Sequence, residues 1–156
     1  MLGIDPDGCL FLCAGFLHPG KGYERAVRAF QQAGSPGRLV VVGSLRQPSP
    51  EAVSYARELR EFCQATPGVT LVEGYVSDED FDTWIAASDV FVLPYRQAWS
   101  SGALARAQEL GTPALVAAVG GLAEQAGPKD AVFRTDGELV ELLQGRSETG
   151  MLTSNS

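Results

Sequence analysis

The chain has 156 residues, the length of a single domain, and its 45% content of hydrophobic residues is enough to form a sizeable core. Its 12 Lys and Arg against 19 Asp and Glu give a net charge of -7 at pH 7, the wrong sign for a surface that binds nucleic acid or an anionic membrane. Nucleic acid is therefore excluded as a partner, and any phosphate would have to be bound by local groups.

The first predicted element is a buried strand within the apolar run CLFLCAGFL, residues 9–17. This run is too short to span a bilayer, and two aspartates precede it where a secretory signal requires basic residues. The three cysteines, Cys9, Cys13 and Cys63, are odd in number and form no CxxC pair, which favours buried thiols in a reducing compartment over metal ligands. We therefore expect a cytoplasmic protein without a transmembrane segment.

Short apolar runs alternate along the chain with segments of helical period. They predict strands at Leu10–Ala14, Leu39–Val42, Val69–Glu73, Val90–Leu93, Ala114–Ala117 and Ala131–Arg134. This alternation predicts an α/β fold: a three-layer, Rossmann-like, doubly wound parallel sheet of about six strands, with helices on both faces.

The third predicted helix opens with Ser77-Asp78-Glu79-Asp80, a serine N-cap followed by acidic residues. The same acidic residues have the spacing of a metal-binding DxD motif, but stabilisation of a helix N-terminus accounts for them, so no metal site is predicted.

The last predicted helix covers residues 137–144. After Gly145 the apolar period is lost, so we expect one domain over residues 1–145 and a flexible tail over residues 146–156.

Two loops are expected to form a ligand site, because a doubly wound sheet binds ligands at the carboxyl ends of its strands, where the strand order reverses. The loop after the first strand carries Lys21 between two glycines at a helix start. The loop after the fourth strand carries Ser100, Ser101 and Gly102 into another helix, whose first turn offers free amide donors. A lysine facing such a helix start predicts a diphosphate clamp.

Each of these residues also has an ordinary structural interpretation. Lys21 could be a solvated lysine in a turn, and Ser101 with Gly102 could do no more than cap a helix. The only histidine, His18, is either a surface loop residue or a phosphate donor. Trp99 either lines the mouth of the site or covers the edge of the sheet.

The segments AGFLHPGKGYERAVRAF, LVVVGS, VTLVEGYVSDEDFDTWIAASDVFVLPY and SSGALARAQELGTPALVAAVGGLAEQ follow one another from residue 14 to residue 125. Their order and spacing resemble the carboxy-terminal domain of retaining GT-B glycosyltransferases of the group 1 kind, over roughly residues 10–144. The resemblance implies one half of a GT-B fold, in which this domain binds the nucleotide-sugar donor.

The resemblance points to three groups of expected site residues, of which Lys21, Ser101 and Gly102 are carried over by position. The donor diphosphate would be bound by Lys21, Ser101, Gly102, His18 and Gly15, and the nucleotide by Gly43, Ser44, Tyr75 and Val76. The vicinity of the sugar and ribose would include Trp99, Ser100, Glu109, Gly121 and Glu124.

The sequence also departs from the family pattern. Phe16 stands where many members have an arginine. The family's two glutamates, which have seven residues between them, have no clear counterpart, since the count back from Gly111 reaches Ala98 and Arg106. The sequence resembles instead the branch with Ser-Gly in place of the first glutamate.

The resemblance implies glycosyl transfer with retention of configuration from a nucleoside diphosphate sugar, UDP- or GDP-linked, without a metal or other cofactor. A complete enzyme of this type has an amino-terminal acceptor-binding domain, so we expect that missing domain or a partner subunit to supply the other half. The alternative is a non-catalytic nucleotide or phosphometabolite-binding module on the same fold, because a fold alone does not determine function.

Overall fold

The computed structural model describes residues 8–98 and 101–149. Its strands are β1 Cys9–Ala14, β2 Gly37–Gly43, β3 Val69–Glu73, β4 Val90–Leu93, β5 Ala114–Ala117 and β6 Ala131–Phe133. Its helices are α1 Tyr23–Gln32, α2 Pro50–Ala65, α3 Asp78–Ala87, α4 Gly102–Leu110, α5 Leu122–Gln125 and α6 Asp136–Thr149, and a 3-10 turn covers Pro19–Lys21. The predicted alternation of strands and helices is confirmed.

All six strands are parallel and lie in the order β3-β2-β1-β4-β5-β6. The order reverses between β1 and β4, which pair with each other through Phe11 with Val90 and Leu12 with Phe91. This is the doubly wound arrangement that the sequence predicts, so the loops after β1 and β4 open on the same crevice at the carboxyl edge.

The central strands of the sheet are buried on both faces, and their alternate residues point to opposite sides. Phe11, Val41 and Val92 pack with α1, α2 and α6 on one face. Leu12 and Phe91 pack with α3, α4 and α5 on the other. The three-layer, Rossmann-like architecture is therefore confirmed.

Two glycines near helix ends behave differently from each other. Gly111 adopts a left-handed conformation with φ 78° and ends α4. Gly145 was expected to mark the end of the last helix, yet α6 continues to Thr149. An isolated glycine with a helical backbone costs only about 1 kcal/mol relative to alanine and so does not end a helix by itself. Residues 150–156 of the expected tail lie outside the described residues.

None of the helices within residues 8–98 and 101–149 is both long enough and apolar enough to cross a bilayer.

Candidate functional site at the carboxyl edge of the sheet

The loop between β1 and α1 is shaped by its own short-range contacts. His18 Nδ1 accepts a hydrogen bond from the Gly20 amide at 2.9 Å and caps the 3-10 turn. Because Nδ1 is an acceptor, Nε2 is the ring nitrogen that can donate to a ligand. Gly22 then adopts φ 63° and starts α1. The turn therefore presents Lys21 at its end.

This loop docks on the loop that follows β4. The Arg96 amide donates to the Gly20 carbonyl at 2.9 Å, and the Arg25 guanidinium donates to the carbonyls of Pro94 and Tyr95 at 3.1 and 3.2 Å. A Cβ at Gly22 would collide with the Pro94 carbonyl oxygen. Glycine at this position thus permits the close approach of the two loops that form the crevice.

Lys21 lines the crevice. Its Nζ is 4.5 Å from the centroid of the buried Tyr95 ring, a cation–π contact. Burial lowers the pKa of Lys21 because the charged ammonium loses hydration. No carboxylate is paired with this ammonium in the described part of the chain. An anionic ligand would supply the missing counter-charge.

The N-terminus of α4 faces the same crevice. Ser101 Oγ accepts from the Leu104 amide at 3.0 Å, and the Ser101 backbone exchanges two hydrogen bonds with the Gln125 side chain at 2.7 and 2.9 Å. Capping, the structural interpretation of Ser101, is therefore confirmed. Among the described residues the Gly102 and Ala103 amides have no partner, so they are the donors left for an anion.

A cleft of about 750 Å³, here called the α4 cleft, lies between these groups and the loop that precedes α2. Its described lining includes His18, Lys21, Arg46, Ser101 and Gly102, and it contains no aspartate or glutamate. In a chain with net charge -7, such a cleft is a local concentration of positive charge. It is suited to a phosphorylated ligand.

A second cleft of about 410 Å³, here called the β3 cleft, adjoins the first at the ends of β1, β2 and β3. It is lined by the predicted nucleotide-binding residues Gly43, Ser44, Tyr75 and Val76, together with Gly15. The Gly15 amide donates to the Val42 carbonyl, and a Cβ at Gly43 would collide with the Gly15 carbonyl oxygen. Lys21 and Tyr95 line both clefts, so the two are continuous.

The residues expected near the sugar and ribose are not all at this edge. Trp99 and Ser100 lie outside the described residues. Glu109 lines neither cleft: it is exposed and pairs with Arg106 at 3.2 Å. It lies in the last turn of α4, roughly 10 Å along the helix axis from the N-terminal end that lines the cleft, so the structure does not bring it to either cleft. Gly121 caps α5 and Glu124 lies in that helix; neither lines a cleft.

The acidic run at the start of α3 is a helix cap, as predicted. Ser77 Oγ accepts from the Asp80 amide at 3.0 Å, and Asp78 to Asp80 form the first turn. Within residues 8–98 and 101–149 no group of three or more His, Cys, Asp or Glu side chains is arranged to hold a metal ion.

The cysteines lie away from the clefts. Cys13 and Cys63 are buried, and burial raises the pKa of both thiols, that of Cys63 to about 11. Neither is an activated nucleophile, because the thiolate form is disfavoured.

Two residues of the site escaped the sequence analysis. Arg46 follows the predicted Gly43-Ser44 turn, and a basic residue just after the carboxyl end of a strand was a usable signal. Gln125 holds the Ser101 backbone from α5, 24 residues away. No local pattern predicts that contact.

Known proteins resemble this chain in sequence. The family model for group 1 glycosyl transferases matches residues 8–145. D-inositol 3-phosphate glycosyltransferase from Xylanimonas cellulosilytica is 35% identical over 121 residues, which are 78% of this chain and 28% of that protein.

Solved GT-B glycosyltransferases share the fold. HepE from Anabaena in complex with UDP matches with a TM-score of 0.79 at 17% identity, over 92% of this chain and 40% of that one. Sucrose-phosphate synthase from Thermosynechococcus elongatus matches with 0.78 at 24% identity, over 93% and 37%. The chain thus spans well under half the length of these relatives. On its sequence and its fold, the chain belongs to the group 1 glycosyltransferases.

Proposed function

We propose that the chain is the donor-binding domain of a glycosyltransferase that moves a sugar from a nucleoside diphosphate to an acceptor with retention of configuration. The observation that carries the proposal is the α4 cleft, which Lys21, Gly102 and Ala103 line together and whose described lining holds no carboxylate. Charge-assisted hydrogen bonds of this kind suit a diphosphate.

Different parts of the donor bind in the two clefts. The nucleoside occupies the β3 cleft, where Tyr75 is 87% exposed and offers a ring for a base. The diphosphate crosses Lys21, which lines both clefts, and the sugar extends into the α4 cleft. A uracil base is favoured because the structurally similar HepE is described in complexes with UDP and with UDP-glucose.

The chemical contribution of this domain is electrostatic. As the bond between the sugar and the diphosphate breaks, negative charge grows on the departing diphosphate. The fixed ammonium and the helix amides stabilise that charge without reorganisation, and this is the larger share of catalysis in many such reactions. The Lys21 ammonium and the amides at the start of α4 supply the positive charge that a metal cation would otherwise supply. The proposal therefore includes no metal or other cofactor.

An acceptor has to approach the sugar from outside this domain. The chain covers 28% of its curated relative and about 40% of HepE. We propose that an acceptor-binding domain or a partner subunit closes over the clefts. Positioning of that kind contributes up to about 7–11 kcal/mol of the barrier, so the 156-residue chain alone would show little transfer.

One observation favours a non-catalytic binding module as the second candidate. The positions where the family has its two glutamates hold Ala98 and Arg106, and Arg106 is engaged in an ion pair with Asp82 at 2.6 Å. If the protein only binds, a chain supplemented with its acceptor half will retain the nucleotide sugar unchanged. Release of free UDP in the presence of acceptor would exclude this second candidate.

A thermal-shift panel of nucleoside diphosphates and their sugars tests the proposal. A ligand at 100 times its dissociation constant adds about 2.7 kcal/mol to the free energy of unfolding. We expect UDP or GDP compounds to raise the melting temperature and the matching nucleosides to leave it unchanged. A panel with no stabilising nucleotide would refute donor binding.

A further inference from the structure

Arg46 carries a charge that the protein does not neutralise. It lies on the loop between β2 and α2 at the edge of the α4 cleft, and it has no carboxylate partner in the described part of the chain. Most other arginines at defined contacts are ion-paired, namely Arg25, Arg60, Arg96 and Arg106. The Arg46 guanidinium therefore remains available for an anion.

Phe16 holds that guanidinium at the cleft. The Arg46 Cζ is 5.3 Å from the centroid of the Phe16 ring, within the range of a cation–π contact. Phe16 is 45% exposed, which is unfavourable for a large apolar ring unless another group covers it. Stacking covers part of the ring and limits the conformations of the arginine.

The loop that carries Arg46 is fixed at both ends. The Leu17 amide donates to the Ser44 carbonyl at 2.9 Å, which ties the loop to the residue after Phe16. Ser49 Oγ accepts from the Ala52 amide at 3.1 Å and anchors the other end as the N-cap of α2. Arg46 is thus held beside the cleft by the backbone as well as by the ring.

We propose that Arg46 binds the β-phosphate of the nucleoside diphosphate and that Phe16 is its positioning residue. This inference rests on the function proposed above. Lys21 lines both clefts, whereas Arg46 lines the α4 cleft only. With the nucleoside in the β3 cleft, the phosphate next to the nucleoside meets Lys21 first, and the terminal phosphate reaches Arg46. A guanidinium donates two parallel hydrogen bonds to such a phosphate.

The test compares UDP and UMP binding by calorimetry in the wild-type chain, Arg46→Ala and a matched control. Arg28→Ala is that control, because Arg28 stacks on Phe62 at 5.9 Å and lines neither cleft of the site. We expect Arg46→Ala to weaken UDP binding about tenfold and UMP binding less than about twofold, and Arg28→Ala to change neither. The loss should shrink as salt is raised, since the guanidinium is exposed.

The positioning role of Phe16 has its own readout. Phe16→Ala should lower the ratio of UDP to UMP affinity about threefold, and Phe16→Tyr, which keeps the ring, should restore the ratio. In the Arg46→Ala background the ratio of UDP to UMP affinity should no longer respond to Phe16→Ala, because the Phe16 ring then has no guanidinium to position. An additive effect in the double variant would overturn the role of Phe16.

Two outcomes separate this inference from the proposed function. If the wild-type chain binds no nucleoside diphosphate, both fall. If the wild-type chain binds UDP and Lys21→Ala weakens it, but Arg46→Ala behaves like Arg28→Ala, the β-phosphate role of Arg46 alone is wrong. Arg46→Lys guards against a change in loop structure, since it keeps the charge without the fork and should fall between wild type and Arg46→Ala.

Discussion

Lys21 is held in place by backbone and side-chain contacts that a solvated surface lysine would not need. The 3-10 turn that ends in Lys21 is capped by His18, its Gly20 carbonyl is held by the Arg96 amide, and its Nζ lies over the Tyr95 ring. Fixing a long side chain costs conformational entropy. Such a constraint is typical of a lysine that acts on a ligand.

Replacement of Lys21 by alanine should weaken nucleoside diphosphate binding by about 1.5–3 kcal/mol, or roughly ten- to a hundredfold, the scale of a charge-assisted hydrogen bond. The chain has one other lysine, Lys129, which is exposed and lines neither cleft. Lys129→Ala is therefore the matched control for loss of one positive charge.

Calorimetry with UDP measures the change, and a urea titration checks that both variants keep the wild-type midpoint. Equal weakening in Lys21→Ala and Lys129→Ala would mean that only net charge matters and that Lys21 has no defined contact.

The loop after β1 and the loop after β4 come close together at the crevice because Gly22 has no side chain. Gly22 combines a left-handed φ of 63° with a position where a Cβ would collide with the Pro94 carbonyl oxygen. The same contact brings the β1 loop, and so Lys21, against the loop that leads to α4. Stability and site geometry are thus linked at a single position.

Gly22→Ala should lower the free energy of unfolding by more than about 2 kcal/mol, because strain and collision add. Gly34 separates the two contributions: it has φ +84° and no atom within 4 Å of an added Cβ. Gly34→Ala should therefore cost only the backbone strain, about 1 kcal/mol. Urea unfolding compares the two variants, and equal losses would show that the loops can separate without cost.

Much of the element layout could be predicted from the sequence. All six predicted strands agree with the structure within about two residues; the central strands β1, β2, β4 and β5 do so because they are largely buried and contain apolar runs. The topological rule for doubly wound sheets also predicts, from the sequence alone, that Lys21 and Gly102 lie at one crevice. The clefts confirm that these residues are neighbours.

The rest depends on three-dimensional contacts that distance along the sequence does not encode. Glu109, which the sequence analysis expects near the sugar and ribose, lies in the last turn of α4 and lines neither cleft. The place of Arg46 at the site depends on its contact with Phe16 across the β2–α2 loop. The contact of Gln125 with Ser101 depends on the docking of α5 on the start of α4. Each is a side-chain contact between segments that are distant in sequence.

At the scale of the whole molecule, the α4 cleft is a positive region within an acidic protein. The net charge of -7 repels a diphosphate at long range, whereas the described lining of the α4 cleft carries cations and no carboxylate. Binding should therefore depend on local contacts and survive moderate salt better than a diffuse basic surface would.

Nucleotide binding should also survive chelation. Lys21 and the α4 amides supply the positive charge, and the acidic residues of α3 form a helix cap. A UDP titration in excess EDTA, repeated after Mg²⁺ or Mn²⁺ is restored, should give the same affinity. A large and reversible loss on chelation would mean that a metal carries the charge assigned to Lys21.

Donor binding is tested most directly by the affinity of the 156-residue chain for UDP compared with UMP, measured by calorimetry in the same buffer. The second phosphate is the group that the α4 cleft is proposed to bind, so we expect UDP to bind at least about tenfold more tightly than UMP. Equal affinities for the two nucleotides would contradict the diphosphate clamp and, with it, the proposed role of the domain.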